Sequence, residues 1–182
     1  MKIAIIGYSG SGKTTLARIL SKIYKIDNVL HMDSIHFDSN WVEVEKSISI
    51  DKLNNFLDTN DSWIIEGNYF GYGERRFIEC DLLIFLNYNR IKCLKGVLAR
   101  HKTYLNKERE EIPGCIDKID LEFLNWVLFK GRTKKRRKNF KKAISIAKNV
   151  IVFKNRDKLL DYIQKINDEE NKKNSGFIEW FL

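Results

Sequence analysis

Apolar runs alternate along this chain with stretches in which apolar residues recur every three or four positions. Five short apolar runs predict strands, at residues 2–6, 29–31, 63–65, 82–86 and 150–153. Helical spacing predicts helices around residues 16–23, 50–57, 91–100, 119–129, 140–147 and 159–166. This alternation predicts an α/β fold with a parallel sheet, helices on both faces, and ligands at the carboxyl ends of the strands.

Three stretches depart from this alternation. Residues 101–115 are polar and contain Pro113, so we expect a mobile loop rather than core. Residues 119–129 carry aromatic side chains on one side and leucines on the other, which predicts a helix packed on both faces. The polar tail from about residue 167 is expected to fray. Because we find no repeat and no boundary, we predict a single domain over residues 1–182.

The charge of the chain is concentrated in one segment. The 182 residues include 33 Lys and Arg against 24 Asp and Glu, and nine of the basic residues lie between Lys130 and Lys142 with no acidic one. The rest of the chain is therefore electroneutral, and the question is which anion this basic segment meets. The 43% of apolar residues suffices for a core and argues against a disordered, collagen-like or disulfide-held chain.

Compartment and cysteine usage follow from the same composition. No uncharged run approaches the roughly 18 apolar residues of a spanning helix, and the apolar start is too short for a signal peptide. We therefore expect a cytoplasmic protein with no membrane partner. The three cysteines lack metal-like spacing, and we expect buried thiols rather than disulfides or a nucleophile. The three histidines are scattered and indicate no zinc site.

A glycine-rich motif follows the first predicted strand and precedes the first predicted helix. It has the spacing Gly7-x4-Gly12-Lys13-Thr14, which is typical of a loop that wraps nucleotide phosphates. Lys13 is expected to meet the β and γ phosphates and to act in catalysis, and the Thr14 hydroxyl is placed to ligate Mg²⁺. The predicted ligand is ATP or GTP with Mg²⁺. The residues expected to bind it are Gly7, Ser9, Gly10, Ser11, Gly12, Lys13, Thr14 and Thr15, with Arg156 on the purine side.

Two carboxylates follow the second and third predicted strands. If the sheet is parallel, Asp33 and Glu66 converge near the phosphate-binding loop. We expect Glu66 to hold Mg²⁺, and Asp33 to act in catalysis by orienting or deprotonating an accepting hydroxyl. The alternative for each is a solvated carboxylate or a cap at a strand end. His36 is either a further acceptor-side residue or an ordinary, partly buried histidine.

Several blocks of the sequence together resemble the DNA topology modulation proteins, an adenylate-kinase-like branch of the phosphate-binding-loop kinases. Besides the loop, the shared segments are His31-Met32-Asp33-Ser34-Ile35-His36-Phe37, Trp41, Trp63-Ile64-Ile65-Glu66-Gly67-Asn68-Tyr69, Arg76, Cys80-Asp81-Leu82-Leu83-Ile84-Phe85-Leu86, Arg90, Gly114-Cys115 and Glu122-Phe123-Leu124-Asn125-Trp126-Val127. The resemblance runs from residue 2 to about residue 154. This chain has Glu66 where the family usually has Asp, which keeps a carboxylate with one more methylene.

The resemblance implies a phosphate-binding-loop NTPase fold, a three-layer sandwich around five parallel strands in the order 2-3-1-4-5, and a lid over about residues 100–116. Lid arginines in such kinases close over the transferring phosphate, which implies catalytic roles for Arg100 and Arg109. Arg76 matches a family arginine on the acceptor side, and Asn68 is expected to bind the acceptor as well. Each arginine is alternatively an ordinary surface residue.

Three interpretations of the basic segment remain open. It is a solvated helix face whose long side chains cover apolar surface, or one or two of Arg132, Arg136 and Arg137 approach phosphates in the site, or it contacts nucleic acid. In the second case we expect Arg136 to bind substrate. No recognition-helix motif accompanies the charge.

These observations lead to two functional hypotheses. The first is an ATP-binding, Mg²⁺-dependent small-molecule kinase that transfers the γ-phosphate to a nucleotide, nucleoside or similar acceptor. The second is a nucleic-acid-associated NTPase or DNA-binding topology modulator that uses residues 130–142. The sequence leaves open the acceptor, the choice between ATP and GTP, and the oligomeric state.

Overall fold

The structure is a computed structural model and describes residues 1–104, 108–109, 111–116 and 119–179, with the backbone alone at 108–109 and 173–179. In chain order its strands are β1 (Lys2–Gly7), β2 (Val29–His31), β3 (Phe37–Asp38), β4 (Val42–Glu43), β5 (Trp63–Glu66), β6 (Leu82–Leu86), β7 (Glu108–Arg109), β8 (Ile112–Ile116) and β9 (Val150–Phe153). The helices are α1 (Lys13–Tyr24), α2 (Met32–His36), α3 (Lys46–Thr59), α4 (Arg75–Glu79), α5 (Arg90–Thr103), α6 (Leu121–Leu128), α7 (Lys134–Ile146) and α8 (Arg156–Glu179). Short 3₁₀ turns occupy Ser39–Trp41, Phe70–Tyr72 and Lys130–Arg132.

Five strands form one parallel sheet in the order β2-β5-β1-β6-β9. This is the predicted order 2-3-1-4-5, so the fold prediction is confirmed. The strand β1 lies at the centre, where Ile3, Ala4, Ile5 and Ile6 are all at most 1% exposed. Since successive side chains of a strand point to opposite faces, helices cover both faces of the sheet. The carboxyl ends of β1, β2 and β5 therefore open onto one edge.

The polar stretch predicted as a mobile loop contains a small antiparallel hairpin instead. Its second strand, β8, buries Ile112 and Cys115, which are 1% and 0% exposed. The strand docks on the segment from Asp38 to Trp41. The Trp41 indole N–H donates to the Ile116 carbonyl at 2.9 Å, and the Cys115 thiol donates to the Asp38 carbonyl at 3.2 Å. The prediction was wrong here because these partners lie more than 70 residues away in sequence.

Two further predictions fail in part. On α6 only Val127 is buried, Leu121 is 85% exposed, and Phe129 just beyond the helix is 57% exposed, so the two faces predicted to pack are covered only in part. The tail predicted to fray from about residue 167 continues α8 to Glu179.

All three cysteines are buried, as predicted. Among the helices in the part of the chain that is described, none is long and apolar enough to span a membrane.

Candidate nucleotide and acceptor site

The glycine-rich loop connects β1 to α1 and has a conformation that its glycines permit. The backbone φ angle is +76° at Gly10 and +90° at Gly12, in the left-handed region that residues with a Cβ avoid. The Ser11 N–H donates to the Tyr8 carbonyl at 3.0 Å and closes the first part of the loop. The helix α1 then begins at Lys13, so Lys13 and Thr14 lie at a helix N-terminus, which attracts anions.

A buried cluster joins the loop to the ends of β2 and β5. The Thr14 hydroxyl donates to Glu66 Oε1 at 2.9 Å, and His31 Nδ1 lies 3.0 Å from the same oxygen. Glu66 is 5% exposed. Burial by itself raises the pKa of Glu66, but the hydrogen bond from His31, the charge of Lys13 and the hydrogen bond from Thr14 outweigh it and hold this pKa below its usual value. The carboxylate is therefore ionised at neutral pH.

The chemistry of this cluster fits Mg²⁺. Thr14 and Glu66 offer a hydroxyl and a carboxylate oxygen within one hydrogen-bond length of each other, and oxygen is the ligand that Mg²⁺ prefers. Among the described residues no group of three or more His, Cys, Asp or Glu side chains is arranged to hold a metal ion alone. At Mg²⁺ sites with few protein ligands, phosphate oxygens and waters complete the coordination.

The other predicted loop residues surround this cluster. Lys13 Nζ lies 3.5 Å from the Tyr8 carbonyl, a long contact that leaves the ammonium available to a phosphate. Ser11 is 2% exposed, and its hydroxyl is buried without a hydrogen-bond partner. Ser9 lines a cleft beside the loop, whereas Thr15 is exposed on α1.

Asp33, which was predicted on the acceptor side, lies in α2, two residues beyond the end of β2. The Tyr69 hydroxyl donates to Asp33 Oδ1 at 2.6 Å. Burial, and then the neighbouring Asp33 carboxylate, raise the pKa of Tyr69 strongly, so this phenol remains a donor. His36 joins the same group, with Nδ1 2.5 Å from the Tyr72 hydroxyl and its ring centre 4.6 Å from that of Tyr69.

Asn68 and Arg76, both predicted to bind substrate, have protein partners. The Asn68 side chain bonds to the backbone of Gly7, and the Arg76 guanidinium donates to the Asn68 carbonyl at 2.6 Å. Arg76 is 1% exposed, and its guanidinium lies 4.4 Å from the Phe77 ring centre. Burial lowers the pKa of Arg76 to about 9. In this conformation Arg76 stabilises the loop after β5 through its hydrogen bond to the Asn68 carbonyl.

The remaining predicted arginines lie farther along the chain. Arg100 is near the end of α5, with its guanidinium 5.8 Å from the Phe123 ring centre. Arg156 is exposed at the first residue of α8. Arg109 belongs to β7, where the backbone alone is described, so its predicted phosphate contact lies outside the described residues.

Within the basic segment, seven of the nine side chains are exposed and two are half-buried. The first of the two, Arg132, uses its donors on protein atoms: Nη1 donates to the Tyr88 carbonyl at 3.0 Å and Nη2 to Cys93 Sγ at 3.1 Å. Its guanidinium also lies 3.7 Å from the centre of the Tyr8 ring, at the start of the phosphate-binding loop. Arg132 therefore attaches the segment before α7 to that loop.

The second half-buried arginine, Arg136, faces a cleft beside the loop. Its guanidinium stacks 3.9 Å from the Trp126 ring centre, and burial lowers its pKa. The cleft contains no acidic side chain among the described residues. Its lining residues are Tyr8, Ser9, Asn68, Phe70, Trp126, Val127, Gly131, Arg136 and Phe140. A cation with no carboxylate in a partly buried cleft is suited to an anionic group.

Three residues of the site were missed by sequence reasoning as site residues. They are His31, which bonds to Glu66, Tyr69, which bonds to Asp33, and Gly96 of α5, which packs on the loop. The positions of His31 and Tyr69 next to the carboxyl ends of β2 and β5 are the signal that could have identified them. Nothing local in the sequence distinguishes Gly96.

Comparison with known proteins reveals similarity at the level of the fold. No family model and no curated protein matches the chain. Among solved structures, shikimate kinase from Acinetobacter baumannii in complex with shikimate is similar at 15% identity and a TM-score of 0.53, over 98% of this chain and 93% of that one. Shikimate kinase from Bacteroides thetaiotaomicron has 15% identity and a TM-score of 0.52, with 92% and 97% covered. An uncharacterized protein from Eubacterium ventriosum has 17% identity and a TM-score of 0.52, with 92% and 98% covered. The chain thus has the fold of the phosphate-binding-loop kinases.

Proposed function

We propose that this protein is a Mg²⁺-dependent kinase that transfers the γ-phosphate of ATP or GTP to a nucleotide, nucleoside or similar small acceptor. The observation that carries the proposal is the hydrogen bond from the Thr14 hydroxyl to the buried Glu66 carboxylate, beside a glycine-rich loop that opens α1. This arrangement brings a hydroxyl and a carboxylate, both oxygen ligands of the kind that Mg²⁺ prefers, next to the glycine-rich loop.

The described residues divide the reaction between them. Lys13 and the N–H groups of the loop bind the triphosphate, and Thr14 and Glu66 hold Mg²⁺, which neutralises charge on the β and γ phosphates when bound. An acceptor oxygen attacks the γ-phosphorus as the bond to the bridging oxygen breaks and the nucleoside diphosphate leaves. Asp33, held by Tyr69, accepts the proton of an attacking hydroxyl.

Arginines complete the proposed site. Arg100 and Arg109 belong to the proposed lid over about residues 100–116, whose closure excludes water so that phosphate passes to the acceptor rather than to solvent. Arg136 binds an anionic group of the acceptor from its cleft. His36 contributes to the acceptor side through its contacts with Tyr69 and Tyr72. Arg156 is proposed on the purine side of the nucleotide.

The sequence blocks that resemble the DNA topology modulation proteins support placing this chain beside that family. The titles of two solved structures name shikimate kinase, one of them with shikimate bound, so shikimate belongs in any panel of acceptors. A cytoplasmic location fits an enzyme that uses ATP and small metabolites.

The test is production of nucleoside diphosphate from ATP and from GTP, with Mg²⁺, against a panel of nucleosides, nucleoside monophosphates and shikimate. We expect stimulation by one class of acceptor and formation of a phosphorylated product, identified by mass spectrometry. Lys13→Ala removes the charge that binds the phosphates and should abolish turnover while the circular dichroism spectrum stays native. Normal turnover by a folded K13A variant would contradict the proposal.

A second candidate function is a nucleic-acid-associated NTPase. The observation that favours it is the exposure of seven basic side chains between Lys130 and Lys142, although the Lys142 ammonium pairs with Glu74 and Lys130 lies 3.6 Å from Glu122. A phosphate backbone bound there would be released as salt rises. ATP consumption is measured with and without duplex DNA at two salt concentrations. Stimulation only by DNA, lost at the higher salt, would overturn the kinase proposal.

A further inference from the structure

The side-chain amide of Asn68 bonds to both backbone polar groups of Gly7. The Gly7 N–H donates to Asn68 Oδ1 at 3.1 Å, and Asn68 Nδ2 donates to the Gly7 carbonyl at 2.9 Å. The two residues lie 61 positions apart, and Gly7 is the first residue of the phosphate-binding loop. One side chain therefore attaches the start of this loop to the segment that follows β5.

These bonds continue a strand pairing that the backbone cannot continue. The parallel pairing of β1 with β5 ends at Ile5 and Glu66, and the Gly67 N–H then donates to the Ile5 carbonyl at 3.0 Å. After Gly67 the chain turns away, and the Asn68 amide supplies the donor and the acceptor that two residues of a longer β5 would have supplied to Gly7. The register of Gly7 is set from this side by one side chain.

The backbone of Asn68 is in turn held by the buried Arg76 side chain. Arg76 Nη2 donates to the Asn68 carbonyl at 2.6 Å and lies 3.5 Å from the Gly67 carbonyl, and Nη1 lies 3.4 Å from Met32 Sδ. Because Arg76 is 1% exposed, this guanidinium is committed to backbone carbonyls rather than to solvent. A cation enclosed in this way stabilises the loop only while both carbonyls stay in place.

We propose that Asn68 is a positioning residue of the nucleotide site, which fixes Gly7 and with it the phosphate-binding loop, and that Arg76 braces Asn68. The inference rests on the proposed nucleotide binding and adds a residue that touches no phosphate. Loss of the Asn68 amide frees the entrance of the loop, so that its N–H groups no longer converge on the phosphates. The affinity for the triphosphate therefore falls.

An asparagine outside the site provides a matched control. At the end of α3, the Asn60 side chain donates from Nδ2 to the Phe56 carbonyl at 2.7 Å. Asn60→Ala removes the same kind of amide, which also bonds to backbone, and leaves both bonds to Gly7 intact.

The experiment measures equilibrium binding of Mg²⁺-ATP and of inorganic tripolyphosphate by calorimetry, with thermal unfolding recorded for each variant. Asn68→Ala should weaken the binding of both probes roughly tenfold, because the hydrogen bonds that order the loop are lost. The isosteric Asn68→Asp variant lacks the amide donor and adds a negative charge, so it should weaken the binding of both probes at least as much. Asn60→Ala should bind both probes as the wild type does. A structural role alone would lower the unfolding temperature without changing the affinity of the folded protein.

Three outcomes would count against the inference. Wild-type affinity in folded N68A and N68D variants would overturn it, and so would an equal loss in N60A. A wild-type protein that bound neither probe would overturn the proposed function as well, which separates the two failures. Since binding is the readout, the acceptor need not be known.

Discussion

The backbone carbonyl of Gly10, in the phosphate-binding loop, lies directly against Gly96, in the middle of α5. A Cβ built on Gly96 would overlap that carbonyl oxygen, and a Cβ built on Gly10 would overlap the Cys93 carbonyl. Backbone therefore packs on backbone at this point. The helix α5, which precedes the β7–β8 hairpin, therefore supports the phosphate-binding loop through this contact.

Replacement of Gly96 by Ala should weaken ATP binding, because the added methyl group forces either the loop or α5 to move. Overpacking of this kind costs on the order of 1–3 kcal/mol, so we expect roughly tenfold weaker binding. Gly71→Ala is the matched control, since its Cβ would lie 3.6 Å from Lys46 Nζ, an ordinary contact. Calorimetric titration with Mg²⁺-ATP measures the effect. Unchanged affinity in G96A would show that the contact is not structurally important.

Glu66→Gln should separate nucleotide binding from Mg²⁺-dependent turnover. The amide keeps the size of the side chain but loses the charge that pairs with His31 and would hold the metal ion. We expect turnover to fall roughly a hundredfold and to require more Mg²⁺, because metal neutralisation of the phosphates is worth several kcal/mol. Glu66→Asp, with its carboxylate retained, should keep more activity. The measurement is the rate at saturating ATP as a function of Mg²⁺ concentration, and a wild-type curve in E66Q would remove Glu66 from the metal site.

Arg136→Gln should raise the KM for an anionic acceptor and leave the KM for ATP unchanged. The expected loss is about tenfold, the effect of removing one charge-assisted contact. The adjacent Arg137→Gln removes the same charge from an exposed side chain and should have little effect on either constant. Steady-state kinetics with the acceptor identified by the panel provide the test. Equal effects in the two variants would indicate that the basic segment acts through its total positive charge rather than through a defined contact of Arg136.

The buried Cys80 thiol predicts a stability change at alkaline pH. Burial raises the pKa of Cys80 from 9.0 to about 11, while the thiol of the unfolded chain keeps the lower value. Between these two values the unfolded state releases its proton first, so ionisation stabilises the unfolded state, and the contribution of Cys80 is lost as pH rises. The expected loss is on the order of 2 kcal/mol by pH 11.

A comparison of the wild type with Cys80→Ala isolates this effect, because all other groups titrate in both proteins. Urea unfolding is measured from pH 8 to pH 11. The unfolding free energy of the wild type should fall more steeply above pH 9 than that of the variant. Parallel curves would mean that the folded protein ionises Cys80 as readily as the unfolded chain.

The sheet could be predicted from the sequence because each strand is a short apolar run buried on both faces. Leu82–Leu86, for example, has five buried residues in succession, which no exposed element would tolerate. The loop from Gly7 to Thr15 could be predicted as well, since its local backbone conformation requires glycines. Convergence of Asp33 and Glu66 on one edge followed from parallel pairing alone, whereas their hydrogen-bond partners did not.

The contacts that sequence reasoning missed depend on residues distant in the chain. Asn68 was expected to bind substrate, and its amide pairs with Gly7 because β5 ends two residues short of β1. Cys115 was expected to be buried, yet the loop around it was expected to be mobile, because nothing local indicates its docking on residues 38–41. Such contacts follow from register and topology, which local periodicity does not encode.

The docking of β8 onto the segment from Asp38 to Trp41 makes detachment of this strand unfavourable. Withdrawal of this strand exposes Ile112 and Cys115 and breaks the bond from the Trp41 indole to Ile116. Uncovering the isoleucine alone costs about 2 kcal/mol. The folded protein therefore exposes the Cys115 thiol only when β8 detaches, and the rate at which a thiol reagent modifies Cys115 would report how often that happens.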